Sequence, residues 1–113
     1  MEDCIFCKIV RGEIPSTKYY EDEDVLAFAD IDPKAPFHAV IIPKRHIASA
    51  AEITPENSGL IAKVFEAAAK LAAQEKLEGG FRIVNNCGED GGQTVGHIHF
   101  HMLARRNLAW PPG

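Results

Sequence analysis

The chain has 113 residues, 46% of them hydrophobic and 25% charged, with a formal net charge of −4, the composition of one ordinary globular domain spanning residues 1–113. The acidic balance argues against a binder of nucleic-acid polymers, which would carry a basic patch to neutralise phosphates, and no apolar run is long enough to span a bilayer. No cleavable signal is apparent at the N-terminus, so a cytoplasmic location is the expectation.

Three cysteines, Cys4, Cys7 and Cys87, make an odd count in a chain read as intracellular, which argues against a disulfide framework. Cys4-Ile5-Phe6-Cys7 is one half of a possible zinc site. A redox reading would want the motif at the start of a helix that follows a strand. Cys87 has no such partner nearby and reads as a small packing residue or an exposed thiol. After the cysteines a short helical turn is expected over residues 6–10, ending before Gly12. Strands follow over residues 18–21 and 25–29, separated by the acidic turn Asp22-Glu23-Asp24. Asp30-Ile31-Asp32-Pro33 breaks the second strand, because proline lacks a donor and aspartates favour turns. A third strand covers residues 39–42 between Pro36 and Pro43.

One long helix is expected to begin after Thr54-Pro55, an N-cap followed by proline at the first helical position. It runs to about Leu77 and stops at Gly79-Gly80. Leu60, Ile61, Val64, Phe65, Ala68, Leu71 and Ala72 recur at helical spacing and form a core-facing stripe. Residues 81–86 form a fourth strand. The fifth is His97-Ile98-His99-Phe100-His101-Met102-Leu103, where strict alternation puts three imidazoles on one face and Ile98, Phe100 and Met102 on the other. These elements predict an α+β fold: an antiparallel five-stranded sheet with the long helix on one face, a short N-terminal helix, and the histidine face left open.

A lone histidine in such a run is usually a packed or surface residue, but three on one face are expensive to bury, since each needs partners and the cluster repels itself when protonated. A metal site, or a nucleophile with helper histidines, would account for them. The preceding stretch, Gly88-Glu89-Asp90-Gly91-Gly92-Gln93-Thr94-Val95-Gly96, reads in isolation as a flexible hairpin turn. Leading directly onto the imidazoles, it reads instead as a phosphate contact, with glycines that let amides approach closely and Gln93 and Thr94 as added donors.

Gly91-Gly92-Gln93-Thr94-Val95 followed by three histidines alternating with apolar residues resembles the histidine-triad superfamily, and Trp110-Pro111-Pro112-Gly113 resembles its Hint branch. The likeness extends over nearly the whole chain, through Leu26-Ala27-Phe28 with Asp30-Ile31, His38 before Val40-Ile41-Ile42-Pro43-Lys44, and Asn86. It implies a purine nucleoside 5′-phosphoramidate hydrolase that releases AMP or GMP through a covalent nucleotidyl-histidine. By the resemblance, His99 would be the nucleophile, His101 would assist the leaving atom, and His38 would support the hydrogen-bond network. Phe28 and Ile31 would wall the base pocket, Asp30 would take the ribose hydroxyls, and Asn86, Gly92, Gln93 and Thr94 would contact phosphate or leaving group. His46 and His97 would join Cys4 and Cys7 as a structural Zn2+ site that catalysis itself does not need; otherwise His46, beside Lys44 and Arg45, is simply solvated. Gly96 departs from the pattern, where a bulkier residue is expected. A homodimer is implied, its C-terminal tail reaching toward the partner's pocket. Dinucleoside polyphosphate hydrolysis and a non-enzymatic nucleotide-binding scaffold are the rival readings.

Overall fold

Alternation along the strands sorts the apolar side chains into two sets on opposite faces of one antiparallel sheet. In the computed structural model, which describes residues 3–113, the strands are β1 (Lys18–Glu21), β2 (Val25–Ala29), β3 (Phe37–Pro43), β4 (Phe81–Asn85) and β5 (Phe100–Ala104). They form a five-stranded sheet in the order β1-β2-β3-β5-β4. Residues 1 and 2 of the expected 1–113 domain lie outside the described residues. Val25, Ala27, Phe37, Ala39, Ile41, Phe100 and Met102 face the helix α2 (Ser58–Gln74), whose Val64, Ala67, Ala68 and Leu71 complete that core. Leu26, Phe28, Val40 and Ile42 point the other way and pack with Ile9 on the short helix α1 (Ile5–Val10). The expected α+β architecture is thus present, with the two helices on opposite faces of the sheet.

Four local expectations are corrected. The long helix starts at Ser58, with Asn57 at its N-cap, because Asn57 Oδ1 accepts from the Thr54 N–H at 2.7 Å and ties residues 54–57 into a turn of their own. It ends at Gln74 rather than near Leu77. Lys76 takes the left-handed conformation (φ 55°), and Lys76 and Leu77 donate their N–H groups to Ala73 and Ala72, the Schellman closure that brings Leu77 back onto the core. Phe65, expected within the buried stripe, lies at its exposed margin. Residues 88–91 are one helical turn, α3 (Gly88–Gly91), rather than irregular loop.

The largest correction concerns the histidine run. Only its second half is ladder: β5 begins at Phe100, opposite Ile41 and Asn85. Beyond that point the neighbouring β3 ends in Pro43, which has no N–H to give, and its carbonyl is taken by the His97 ring at 2.8 Å. Nor is the histidine face open. Phe6 of α1 sets its ring edgewise to both His97 and His99, at centroid distances of 5.9 and 5.1 Å, so both imidazoles are buried while His101 remains partly exposed.

Candidate active site and metal centre

The triad and its neighbours are bound in an order that fixes where each imidazole keeps its proton. The ring nitrogen His99 Nδ1 lies 2.8 Å from the His97 carbonyl oxygen. A carbonyl only accepts, so Nδ1 carries the hydrogen and Nε2 is left with a free lone pair. Asn85 Nδ2 donates to the carbonyl of His99 itself at 2.9 Å and holds that stretch of backbone to the end of β4.

A second chain begins in the loop between β2 and β3. The Lys34 main-chain N–H donates to His38 Nδ1 at 3.0 Å. His38 in its neutral form therefore carries its hydrogen on Nε2 and donates it to His101 Nδ1, 2.9 Å away. That leaves His101 with an N–H at Nε2, the complement of the lone pair on His99. The His99 and His101 rings lie edge to face at 5.3 Å. Asp30 completes the group: Oδ1 accepts from the Asp32 N–H at 2.8 Å, while Oδ2 sits 3.4 Å from His38 Nε2 and 3.7 Å from His101 Nδ1. Burial holds both His38 and His101 below the usual histidine range, and the Asp30 charge pulls each back toward it.

Around the N-terminus, Cys4, Cys7, His46 and His97 bring one donor atom each to within 4.8 Å of one another. His97 donates from Nε2 to the Pro43 carbonyl, so its Nδ1 faces the sulfurs with a lone pair, 3.4 Å from Cys4 Sγ and 3.6 Å from Cys7 Sγ. His46 Nδ1 lies 3.3 Å from Cys7 Sγ. A tetrahedral Zn2+ with Zn–S of ~2.3 Å and Zn–N of ~2.0 Å has S···N edges of roughly 3.5 Å, which the S···N separations of 3.4, 3.6 and 3.3 Å match. Cys4 also caps α1, its Sγ accepting from the Cys7 N–H at 3.3 Å. Burial, with Cys4 alongside, pushes the Cys7 thiol up.

The remaining candidates fall into two groups. Phe28 is buried beneath Phe6, ring centroids 5.6 Å apart, and Asp30 joins the histidines, but Ile31 stands fully in solvent. In the loop before the triad, Gly92 takes a left-handed φ of 78° and closes α3. Gln93 is already engaged: Nε2 donates to the Ala48 and Val95 carbonyls at 2.8 and 2.9 Å, and Oε1 accepts from the Gly88 N–H at 3.0 Å. Thr94 is exposed and Asn86 half-buried. Cys87 is an exposed thiol. Sequence reasoning missed Phe6, Asn85 and the Lys34 amide. Phe6 is marked only by lying between the two cysteines, and the other two act through main-chain bonds that side-chain patterning does not display.

Comparison with known proteins agrees with this geometry. Residues 3–109 match the family model described as "Scavenger mRNA decapping enzyme C-term binding". An uncharacterized HIT-like protein of Synechococcus elongatus is 50% identical over 112 residues, covering 99% of this chain and 98% of the relative. A 14 kDa zinc-binding protein of Zea mays is 50% identical over 111 residues, 96% of this chain and 87% of the relative. Among solved structures, a HIT family hydrolase from Legionella pneumophila superposes with a TM-score of 0.95 at 50% identity, over 98% of this chain and 100% of the other.

Proposed function

Because the chain belongs to the histidine-triad superfamily, we propose that it is a single-domain hydrolase of purine nucleoside 5′-phosphoramidates, working through a nucleotidyl-histidine and releasing AMP or GMP. The observation that carries this reading is the pair of opposed proton states. His99 Nε2 holds a lone pair because its Nδ1–H is given to the His97 carbonyl, and His101 Nε2 holds an N–H because its Nδ1 accepts from His38. A nucleophile and a proton donor on neighbouring imidazoles are what cleavage of a P–N bond requires, since an amine leaves poorly without a proton.

In this reading His99 Nε2 attacks the α-phosphorus and His101 protonates the departing nitrogen. Water then attacks the nucleotidyl-histidine, and His101 takes up the proton that water loses. Phe28 walls the base pocket, and Ile31, now in solvent, would be covered by the base. Asp30 takes the ribose hydroxyls. Asn86, the backbone at Gly92 and the Thr94 hydroxyl would contact phosphate or leaving group, with Gln93 bracing the loop that presents them. Cys4, Cys7, His46 and His97 would hold Zn2+. With four protein ligands and no open position, the ion supplies a structural cross-link rather than an activated water. The cross-link bears on catalysis through His97, whose side chain joins the cluster while its carbonyl fixes the His99 tautomer.

The proposal includes a homodimer. β4 is an edge strand with no further strand on its outer side among the described residues, and the C-terminal tail is fastened to it, with Arg82 Nη2 donating to the Leu108 and Ala109 carbonyls at 3.2 and 2.9 Å. Trp110, beyond them, is exposed.

The test is steady-state hydrolysis of adenosine 5′-phosphoramidate by the wild type and His99→Ala, with mass spectrometry of the quenched wild type. The expected result is turnover with an AMP adduct on His99, and a loss of about a thousandfold or more in kcat in the variant. A wild type that binds nucleotide but turns over neither the phosphoramidate nor a dinucleoside polyphosphate would make the protein a nucleotide-binding scaffold. Faster turnover of the dinucleotide would reassign the leaving group.

A further inference from the structure

Asp30 stands in the proposed site as a ribose contact, yet its carboxylate is turned toward the histidine pair. Oδ1 is held by the Asp32 N–H at 2.8 Å, which aims Oδ2 at His38 Nε2 (3.4 Å) and His101 Nδ1 (3.7 Å), and the side chain is only 18% exposed. The two imidazoles share a single hydrogen across 2.9 Å while the pair is neutral. A neutral pair cannot serve as a strong acid, because surrendering the Nε2 hydrogen of His101 would leave an anion. The pair must first take up one more proton. That proton puts an N–H on both facing nitrogens, two donors pointed at each other with no acceptor between them. Asp30 Oδ2 is within reach of both.

We propose that Asp30 is a positioning residue of the proton-donating pair, accepting the surplus N–H and stabilising the charged His38–His101 unit that delivers a proton to the leaving nitrogen. This rests on the hydrolase reading above and extends it. As the His99 Nε2–P bond forms, the electrons of the P–N bond go to nitrogen, which takes the Nε2 proton of His101. The pair returns to neutral with its remaining hydrogens held among His38 Nε2, His101 Nδ1 and Asp30 Oδ2. Without the carboxylate, burial and the neighbouring His99 would oppose charging of His101, and burial with Lys34 would oppose it at His38, where Asp32 adds a weaker favourable charge. Val84, opposite His101 on β4, brings no charge. The same three side chains are close enough to hold a metal ion. However, the Lys34 N–H on His38 Nδ1 forces the His38 hydrogen onto Nε2, the atom such an ion would need.

Asp30→Asn tests the assignment, since the amide oxygen can still accept from the Asp32 N–H while the charge is lost. Imidazole nitrogen shifts of His38 and His101, followed by NMR across pH in the substrate-free protein, are expected to titrate roughly one pH unit lower in the variant. In kinetics, kcat for adenosine 5′-phosphoramidate is expected to fall about tenfold at neutral pH, because each unit of pKa is tenfold in the charged fraction. Adenosine 5′-phosphorofluoridate, whose fluoride departs with little need of a proton, should lose far less. Unchanged titration midpoints would overturn the proposal. So would a rise in KM, equal for both substrates and without loss of kcat, which is the signature of a sugar contact alone. If the wild type hydrolyses neither substrate, the hydrolase reading fails and the NMR midpoints still decide the role of Asp30.

Discussion

His38 and His101 are the histidines whose titration is set by burial against one carboxylate, and their protonation states bear on stability as well as chemistry. Burial is the larger influence and holds both below the ordinary histidine value. The unfolded chain, with its histidines near 6.5, therefore binds more protons than the fold once the pH drops below that value. The stabilisation is complete above about pH 6.5 and is lost as pH falls through the depressed folded values. Thermal unfolding is expected to give a flat midpoint from pH 8 to 7 and a falling one toward pH 5. His38→Gln, which removes one of these two bases, is expected to lessen that fall without abolishing it, because burial also lowers His46 and His97; an equally steep fall in the variant would place the acid sensitivity elsewhere. At this scale the sequence displayed the imidazoles plainly, because alternation along a strand is a side-chain pattern. It did not display their tautomers, which depend on the carbonyls of His97 and Pro43 and on the Lys34 amide. Nor could it show that Gln93 spends its amide on Ala48 and Val95, since those partners are main-chain carbonyls, one in a separate loop and one further along its own loop.

At the scale of elements, α1 matters more than its six residues suggest. A helix this short has little stability of its own, and it is placed by Ile9 against β2 and β3, by Phe6 against the triad, and by the two cysteines at its start. If Cys4, Cys7, His46 and His97 hold zinc as proposed, loss of the ion would remove the cysteine attachment and leave the Ile9 packing in place. Cys7→Ser is accordingly expected to lower bound zinc, measured by elemental analysis, from about one per chain toward none. Amide exchange should accelerate over residues 5–10 and at residues 97–99, and remain slow in α2, which packs independently on the other face. Equal acceleration in α2 would show that the metal cluster supports the whole core. Apart from the fifth strand, whose ladder begins at Phe100 and not at His97, strand positions were legible to within a residue or two because apolar and polar positions alternate and prolines and aspartates punctuate them. The boundaries of α2 were less so. Thr54-Pro55 carries a sound start signal, but the Asn57 side chain competes for the same turn and wins. At the other end Lys76 adopts a left-handed backbone that glycine would have signalled, drawn there by the burial of Leu77.

For the molecule as a whole, the sheet leaves two edges, β1 and β4, that differ in what lies along them. β1 carries Lys18 and Glu21 paired with each other at 3.0 Å, the charged kind of edge that discourages strand addition. β4 runs Phe81-Arg82-Ile83-Val84-Asn85, with Phe81 exposed, and its neighbour in the sheet, β5, supports Phe65 of α2 through Phe100 at 5.8 Å. Burying β4 edge to edge with a second copy would satisfy its unpaired backbone and cover apolar side chains by one self-complementary contact, as a two-fold dimer requires. The tail fastened to Arg82 would then run along the same seam, placing Trp110 where it can reach the partner. Light scattering at micromolar protein is expected to report twice the 12.4 kDa of one chain. Val84→Pro should return a monomer, because a proline in β4 spoils further pairing along that strand; since it also weakens the sheet, Phe65→Glu provides a second test that leaves the ladder intact. A wild type that remains at the mass of one chain, or a dimer indifferent to both changes, would move the interface away from this edge.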